Sequence, residues 1–486
     1  MSHDKEHALQ SSRRRFLQAA SLAAVGGGLL GAQGAANAAA PTPQTAARAA
    51  TQTDFDVIVV GGGFSGVTAA RDLSKNGYRT LLLEARNRLG GRTFDTHFGE
   101  HHVELGGTWV HWTQPHVWNE VTCYGLEIKE TPGATAEHMI VMVDGKPTEF
   151  AVRDRYEELV QGFHKYFEES RLVWERPWDT HFRWREITER DTTTAAERLA
   201  RVELTALQRN VLAAIIEGLA HCPLEQASYV EMLRWFALPV HDVPTMFDSE
   251  GRYQIKEGTG ALIRRMAADG RADIKLSTPV RRIERRDDVV IVTPQSGAPI
   301  LAKAVVLALP PRVLKDLEFE PALSAGKLAA SRSGFTPSGI KYYVEVKGQL
   351  GNVNLMSQTK DRLGLALTYA SLPSSTLLVG FAPDGKTLDG NDEEDMQSAL
   401  RPLLPGAEVL ACTSYSWTQD PFALGTFSSF APGQLTRSFD ELRRHEGRVF
   451  MAGGDLSEGW RGFIDGAIGQ GAVVARQVSE FLARGS

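Results

Sequence analysis

"VIVVGGGFSGVTAARDLSKNGYRTLLLEA", residues Val57 to Ala85, reads as strand, glycine turn, helix and second strand, closed by an acid. Val57 to Val60 is a short β-branched run of the kind buried on both faces of a parallel sheet. Gly61-Gly62-Gly63-Phe64-Ser65-Gly66 then fits G-x-G-x-x-G. In that pattern Gly61 permits the tight turn, Gly63 lets a pyrophosphate approach the backbone, and Gly66 lets the helix pack close to the strand. The helix N-terminus, Ser65 included, offers unpaired N–H groups to the anion. Arg79 to Leu83 gives the second strand. Glu84 ends it, about 20 residues past the turn, where a carboxylate accepts hydrogen bonds from a ribose. Glycines alone would be a weak signal. In this order of elements they specify a dinucleotide site.

The next segments choose the nucleotide. "ARNRLGGRTFDT" (Ala85 to Thr96) brings a second glycine pair followed by Arg92, and "VELGGTWVHW" (Val103 to Trp112) brings a third glycine turn. The C-terminal stretch "RVFMAGGDLSEGWRGFIDGAIGQGAVVARQV" reads as strand, loop and helix. This succession resembles the flavin amine oxidase family, in which R-x-G-G-R, [DE]-x-G-G-x-[WY] and a closing [FY]-A-G-[GTS]-[ED]…G-[YF]-x-[DE]-G-A motif follow the ribose acid. The resemblance covers nearly the whole chain after its first forty residues and implies FAD. It places Ala85, Arg86, Gly91 and Arg92 along the nucleotide, and the backbone of Val280 against the adenine. Gly107, Thr108 and Trp109 would run beside the isoalloxazine, with Trp417, Gly454, Asp455, Phe463, Ile464 and Ala467 completing the cofactor contacts.

The same resemblance assigns the chemistry. Phe427, in "DPFALGTFSSFAPG", and Phe463 fall at the two walls of the family's aromatic cage, with Trp109 and Trp460 expected to shape the substrate space. Phenylalanine at both walls, where the family more often has tyrosine, implies an apolar substrate. Lys341, in "SGIKYYVEV", matches a lysine held on a water near flavin N5. Thr426 replaces the cysteine that attaches flavin in covalent members, so FAD is expected to be noncovalent. Glu458, in "DLSEGW", is placed near the mouth, to hold a cationic group of a longer substrate or to face solvent. A narrower likeness, in "ELGGTWVHWTQPHVW", "RWFAL", "PTMFDS" and "GWRGFIDGAI", is to the bacterial pseudooxynicotine amine oxidase and nicotine oxidoreductase group; it brings His111 and Trp112 near the flavin. The reaction implied is hydride transfer from the carbon beside a secondary or tertiary amine, then imine hydrolysis, with electrons passing to oxygen or a cytochrome-type carrier. A flavin desaturase or porphyrinogen-type oxidase and a non-catalytic flavoprotein are the alternatives. A single G-x-G-x-x-G argues against a second, nicotinamide site.

The expected fold is α/β: a discontinuous Rossmann-type FAD-binding domain (54–108, 246–330 and 440–483) interleaved with an α+β substrate domain (109–245 and 331–439). Tyr156 to Leu219 mixes charged and apolar residues at helical spacing, whereas Lys341 to Lys347 and Thr376 to Phe381 alternate as antiparallel strands. Ahead of the fold, "SSRRRFLQAA" matches the twin-arginine export pattern, and Ala36-Asn37-Ala38 offers a cleavage site. Residues 1–38 are thus expected to be a signal for the twin-arginine translocase and 39–53 a linker, giving a periplasmic protein with no membrane anchor once matured. A homodimer is left open. With 42% hydrophobic and 23% charged residues and a formal net charge of -6, no basic block addresses nucleic acid. The three cysteines, Cys123, Cys222 and Cys412, show no metal spacing; in an exported protein two could form a disulfide, but for a chain that folds before export they read as buried free thiols. His97 and His101 flank Gly99 in an apparent loop, so no metal site is expected.

Overall fold

The computed structural model describes residues 52–333 and 337–484. The export pattern and most of the linker lie outside them. Strand β1 (Phe55–Val60), helix α1 (Phe64–Lys75) and strand β2 (Thr80–Leu83) form the expected first unit, β1 and β2 being parallel and buried. A Cβ on Gly61, whose φ is +105°, would stand 2.5 Å from the Ala308 carbonyl oxygen, and one on Gly66 would overlap the Gly61 carbonyl. Both glycines therefore serve the close packing of turn, helix and sheet.

Helices then dominate. Val152–Tyr166 (α2) and Ala206–Ala220 (α3) bound the segment Tyr156 to Leu219 whose spacing predicts helix, and Tyr229–Ala237 (α4) extends the helical region beyond it. Thr205 opens α3 with a capping box to Gln208, and Ser228 caps α4 through the Glu231 N–H. The chain returns to the first sheet through Val280–Arg285 and Val290–Pro294, an antiparallel pair around the charged turn, and through β3 (Ile300–Leu307), parallel to β1. Pro310 and Pro311 follow that strand, as expected of a stop. The sheet runs 318–320, 280–285, 290–294, β3, β1, β2, 273–275, with Val449–Met451 also pairing with β3.

A second sheet of seven strands holds β4 (Ile340–Lys347) against β5 (Ser375–Ala382), antiparallel as the sequence implies. Tyr343, Leu377 and Val379 pack with Val103 and Leu105, while Tyr342, Val344 and Leu378 pack with Met396 and Leu400 of the helix Glu393–Leu400. Both faces are covered, so the alternation encodes two cores. The last helix, α5 (Ile464–Arg484), packs on α1.

Two smaller readings need correction. The stretch around His97 and His101 is a hairpin, Asp95–Phe98 with His101–Glu104, turning at Gly99 in the left-handed region. Cys123 is exposed at a helix end and Cys412 is half-buried; only Cys222 is buried. Among the described residues no helix is long and apolar enough to cross a membrane, and no group of three or more His, Cys, Asp or Glu could hold a metal.

Candidate active site

One cavity of about 830 Å³ joins the two halves of the site. Its nucleotide end is lined by Gly61, Gly63, Ser65, Glu84, Ala85, Arg86, Gly91, Arg92 and Val280. Gly107, Thr108, Trp109, Trp417, Gly454, Asp455, Ile464 and Ala467 continue the wall. Gly66 is absent from it, in keeping with its packing role.

The chain holds these groups in place itself. Glu84 accepts the Gly62 N–H at 2.6 Å and the Arg86 N–H at 2.8 Å, which fixes the carboxylate yet leaves lone pairs for a ribose. Arg92 is clamped by Asp455 and donates to the Thr426 carbonyl at 3.0 Å. Arg86 pairs with Asp420 at 2.6 Å, and Trp417 donates to the Leu105 carbonyl at 3.0 Å. These residues fit FAD on structural grounds. A Cβ on Gly63 would find no protein atom nearer than 3.8 Å, so the turn leaves open space where a pyrophosphate lies, and the buried Thr426 hydroxyl has no partner within the chain.

At the other end the wall turns aromatic. Phe427 and Phe463 both line the cavity, and each rests edge-on against Trp235, with ring centroids 6.1 and 5.8 Å apart. Lys341 is 3% exposed. Its ammonium donates to the Gly106 carbonyl at 3.0 Å and to the Thr108 hydroxyl, 4.8 Å from the Trp109 ring centroid. Burial pushes its pKa down to about 7, against the opposing pull of Glu104. Glu104, also buried, is raised by desolvation and accepts N–H bonds from Phe94 and Gly106 and the Thr259 hydroxyl. The lysine thus fixes the very loop that the resemblance sets beside the isoalloxazine.

Four residues are not where the sequence reading puts them. Trp460 is fully buried behind Phe463, centroids 5.0 Å apart, and its N–H donates to the Thr113 carbonyl. Glu458 is turned away, paired with Arg443 and accepting the Thr180 N–H at 2.9 Å. His111 and Trp112 stack on each other at 3.8 Å outside the cavity, Trp112 half-exposed. Gly462, at φ +90°, reverses the backbone between Trp460 and Phe463, so near neighbours in sequence face different ways.

Sequence reasoning missed Trp235, Phe381 and His221, all in the cavity wall. His221 ends α3 in the left-handed region at φ +52°, a strained place for a non-glycine residue. Its ring meets Phe427 edge-on at 4.6 Å, neither ring nitrogen has a partner, and burial pushes its pKa down to about 3. It is a neutral imidazole at any physiological pH. "RWFAL" carried a signal for Trp235; nothing local marked His221.

A nucleotide-cradling sheet opening onto an aromatic chamber fits a dinucleotide-dependent oxidoreductase with an organic substrate. The family model described as flavin containing amine oxidoreductase matches residues 64–479, and the chain belongs to that family. It is 40% identical over 478 residues to a pseudooxynicotine dehydrogenase from a Pseudomonas species, covering 97% of this chain and 96% of the relative. It is 35% identical to a nicotine dehydrogenase of Pseudomonas putida, covering 97% and 98%. Among solved structures, a putrescine oxidase superposes with a TM-score of 0.75 at 20% identity, covering 88% of this chain and 99% of that one. Cyclohexylamine oxidase from Brevibacterium oxydans gives 0.73 at 23%, covering 89% and 100%. The protein is an FAD enzyme that oxidises amines, with the amine oxidase fold.

The cage assignment makes a prediction. Phe427→Ala and Phe463→Ala are each expected to slow flavin reduction by the best amine far more than they lower FAD content. Truncating a buried aromatic typically costs ~3–5 kcal/mol of packing, so melting is followed alongside. Unchanged reduction in both variants would make these rings mere core.

Proposed function

We propose that the enzyme oxidises a C–N bond of a secondary or tertiary amine and that its substrate is an alkaloid of nicotine breakdown, such as pseudooxynicotine or nicotine. The names of the two Pseudomonas relatives support the substrate class. The observation that carries the chemistry is the chamber: Phe427, Phe463, Trp235, Phe381 and Trp109 line one apolar space with a buried lysine in its wall. Desolvation there disfavours an ammonium and so presents the amine with its lone pair free. Bound FAD supplies the acceptor for the hydride that this lone pair expels. Trp235 holds the two phenylalanines, and Lys341 holds the Gly106–Thr108 loop, so the amine meets a preformed surface. Water hydrolyses the imine.

Dehydrogenase in both relatives' names supports a soluble carrier, such as a cytochrome, over oxygen as the electron acceptor. Turnover of pseudooxynicotine and nicotine is measured with oxygen alone and with a c-type cytochrome added, the carbonyl product being counted. Product formation that follows the cytochrome is expected. Product formed at the same rate with oxygen alone would make the enzyme an oxidase, and no product from either amine would refute the substrate class.

The export pattern at Ser12 to Leu17 supports twin-arginine translocation of the folded, FAD-loaded protein to the periplasm. Replacing Arg13 and Arg14 by lysine is expected to retain the precursor in the cytoplasm with normal FAD content. Unchanged arrival in the periplasm would contradict this route.

A further inference from the structure

We propose that Glu250 selects the substrate: its carboxyl pairs with a second, weakly basic nitrogen carried by the amine at the end away from the bond oxidised. The inference rests on the amine reading above and names the far end of that substrate.

Glu250 sits in the π-helical turn Asp248–Arg252 and lines the cavity. Its Oε1 is buried without a hydrogen-bond partner, and no ion pair reaches the carboxyl among the described residues. The neighbouring charges are spoken for: Arg252 bonds Glu130 at 3.0 Å and Asp248 at 3.3 Å. The turn is firmly built. Arg252 accepts the Thr131 N–H at 2.8 Å, and the next strand, Tyr253–Ile255, bridges through Gln254 to Trp109. Glu250 therefore belongs to the wall that continues to the flavin end, on elements that carry none of the nucleotide contacts. The same cavity is also lined by the apolar Leu159, Phe163, Val243 and Phe247.

A carboxyl oxygen buried without a partner is costly, and desolvation drives this group well above the usual carboxyl range. Such a group is satisfied by a ligand that brings the missing half of a hydrogen bond. A pyridine-like nitrogen does so whichever partner holds the proton: the acid donates to the lone pair, or the carboxylate accepts from the protonated ring. A strongly basic amine at Glu250 would instead be held as an unreactive cation. The pairing thus also sets the direction of binding, leaving the alkyl amine neutral in the aromatic chamber.

The test uses two probes of equal length, an N-methyl butylamine ending in a pyridyl ring and the same amine ending in phenyl. Anaerobic flavin reduction is followed in wild type, Glu250→Leu and Glu250→Gln. Wild type is expected to half-saturate with the pyridyl amine at a roughly tenfold or more lower concentration, the worth of a strong buried hydrogen bond. Leucine should bring the ratio near one. Glutamine, whose amide still donates to a ring nitrogen, should restore part of it. Glu250→Leu is expected to keep FAD and melt no lower than wild type, since it removes an unpaired acid. A wild-type ratio near one, or a ratio unchanged by leucine, overturns the role of Glu250. If neither probe bleaches wild-type flavin, the amine reading itself falls.

Discussion

Gly63→Val is expected to fold and to bind FAD roughly ten- to hundredfold more weakly, from ~1–3 kcal/mol of overpacking against the pyrophosphate. The three motif glycines separate here. Gly63 has an ordinary backbone, φ -74°, and a Cβ there meets nothing closer than 3.8 Å. Gly61 and Gly66 have no such room: a Cβ strikes the Ala308 carbonyl in one case and the Gly61 carbonyl in the other. Gly66→Val should therefore fail to fold, whereas Gly63→Val should melt like wild type stripped of flavin. FAD affinity by fluorescence titration, with melting of both apoproteins, separates the two. Wild-type FAD affinity in Gly63→Val would show that the pyrophosphate lies elsewhere.

The second large effect concerns a group just behind the cavity wall. Glu231, Arg234 and Arg461 are all fully buried, and the carboxylate accepts from Arg234 at 3.1 Å and from Arg461 at 2.7 Å. Arg234 also donates to the carbonyls of Gly459 and Arg461, and Arg461 to that of Ser457. The triad ties α4, with Trp235, to the loop that ends in Phe463. Glu231→Leu would leave two guanidiniums buried without an anion, a loss of ~3–5 kcal/mol. Urea unfolding of the holoenzyme is expected to show it as a lower midpoint, with slower flavin reduction because the cage is loosened. Burial opposes ionisation of Glu231, yet the two arginines hold its pKa below the ordinary 4.5. Its contribution is thus present above about pH 4.5 and is lost only as the pH falls through the lower, folded value. A midpoint equal to wild type at neutral pH would show the triad to be dispensable.

What the sequence disclosed and what it hid follow one physical line. Val57 to Glu84 is legible because its function is local: a buried strand, a turn that only glycine can make and an acid at fixed separation all lie within one βαβ segment. The substrate wall is assembled from distant elements. His221 enters because a helix ends in the left-handed region, Trp235 because a buried ion triad fixes α4, and Glu250 because a π-helical turn interrupts the route to a strand. No spacing encodes those convergences. Trp460 lies behind the wall and not in it because the turn at Gly462 reverses the chain before Phe463.

The central claim is that a dry aromatic chamber presents a neutral amine to FAD. Anaerobic titration with a substrate amine and with its quaternary N-methylated counterpart tests it most directly. The two share shape and bulk, but the quaternary nitrogen has no lone pair to drive hydride loss. The account predicts that the amine bleaches the flavin band stoichiometrically, while the quaternary compound leaves the flavin oxidised at any concentration. Bleaching by both, or by neither, would contradict it.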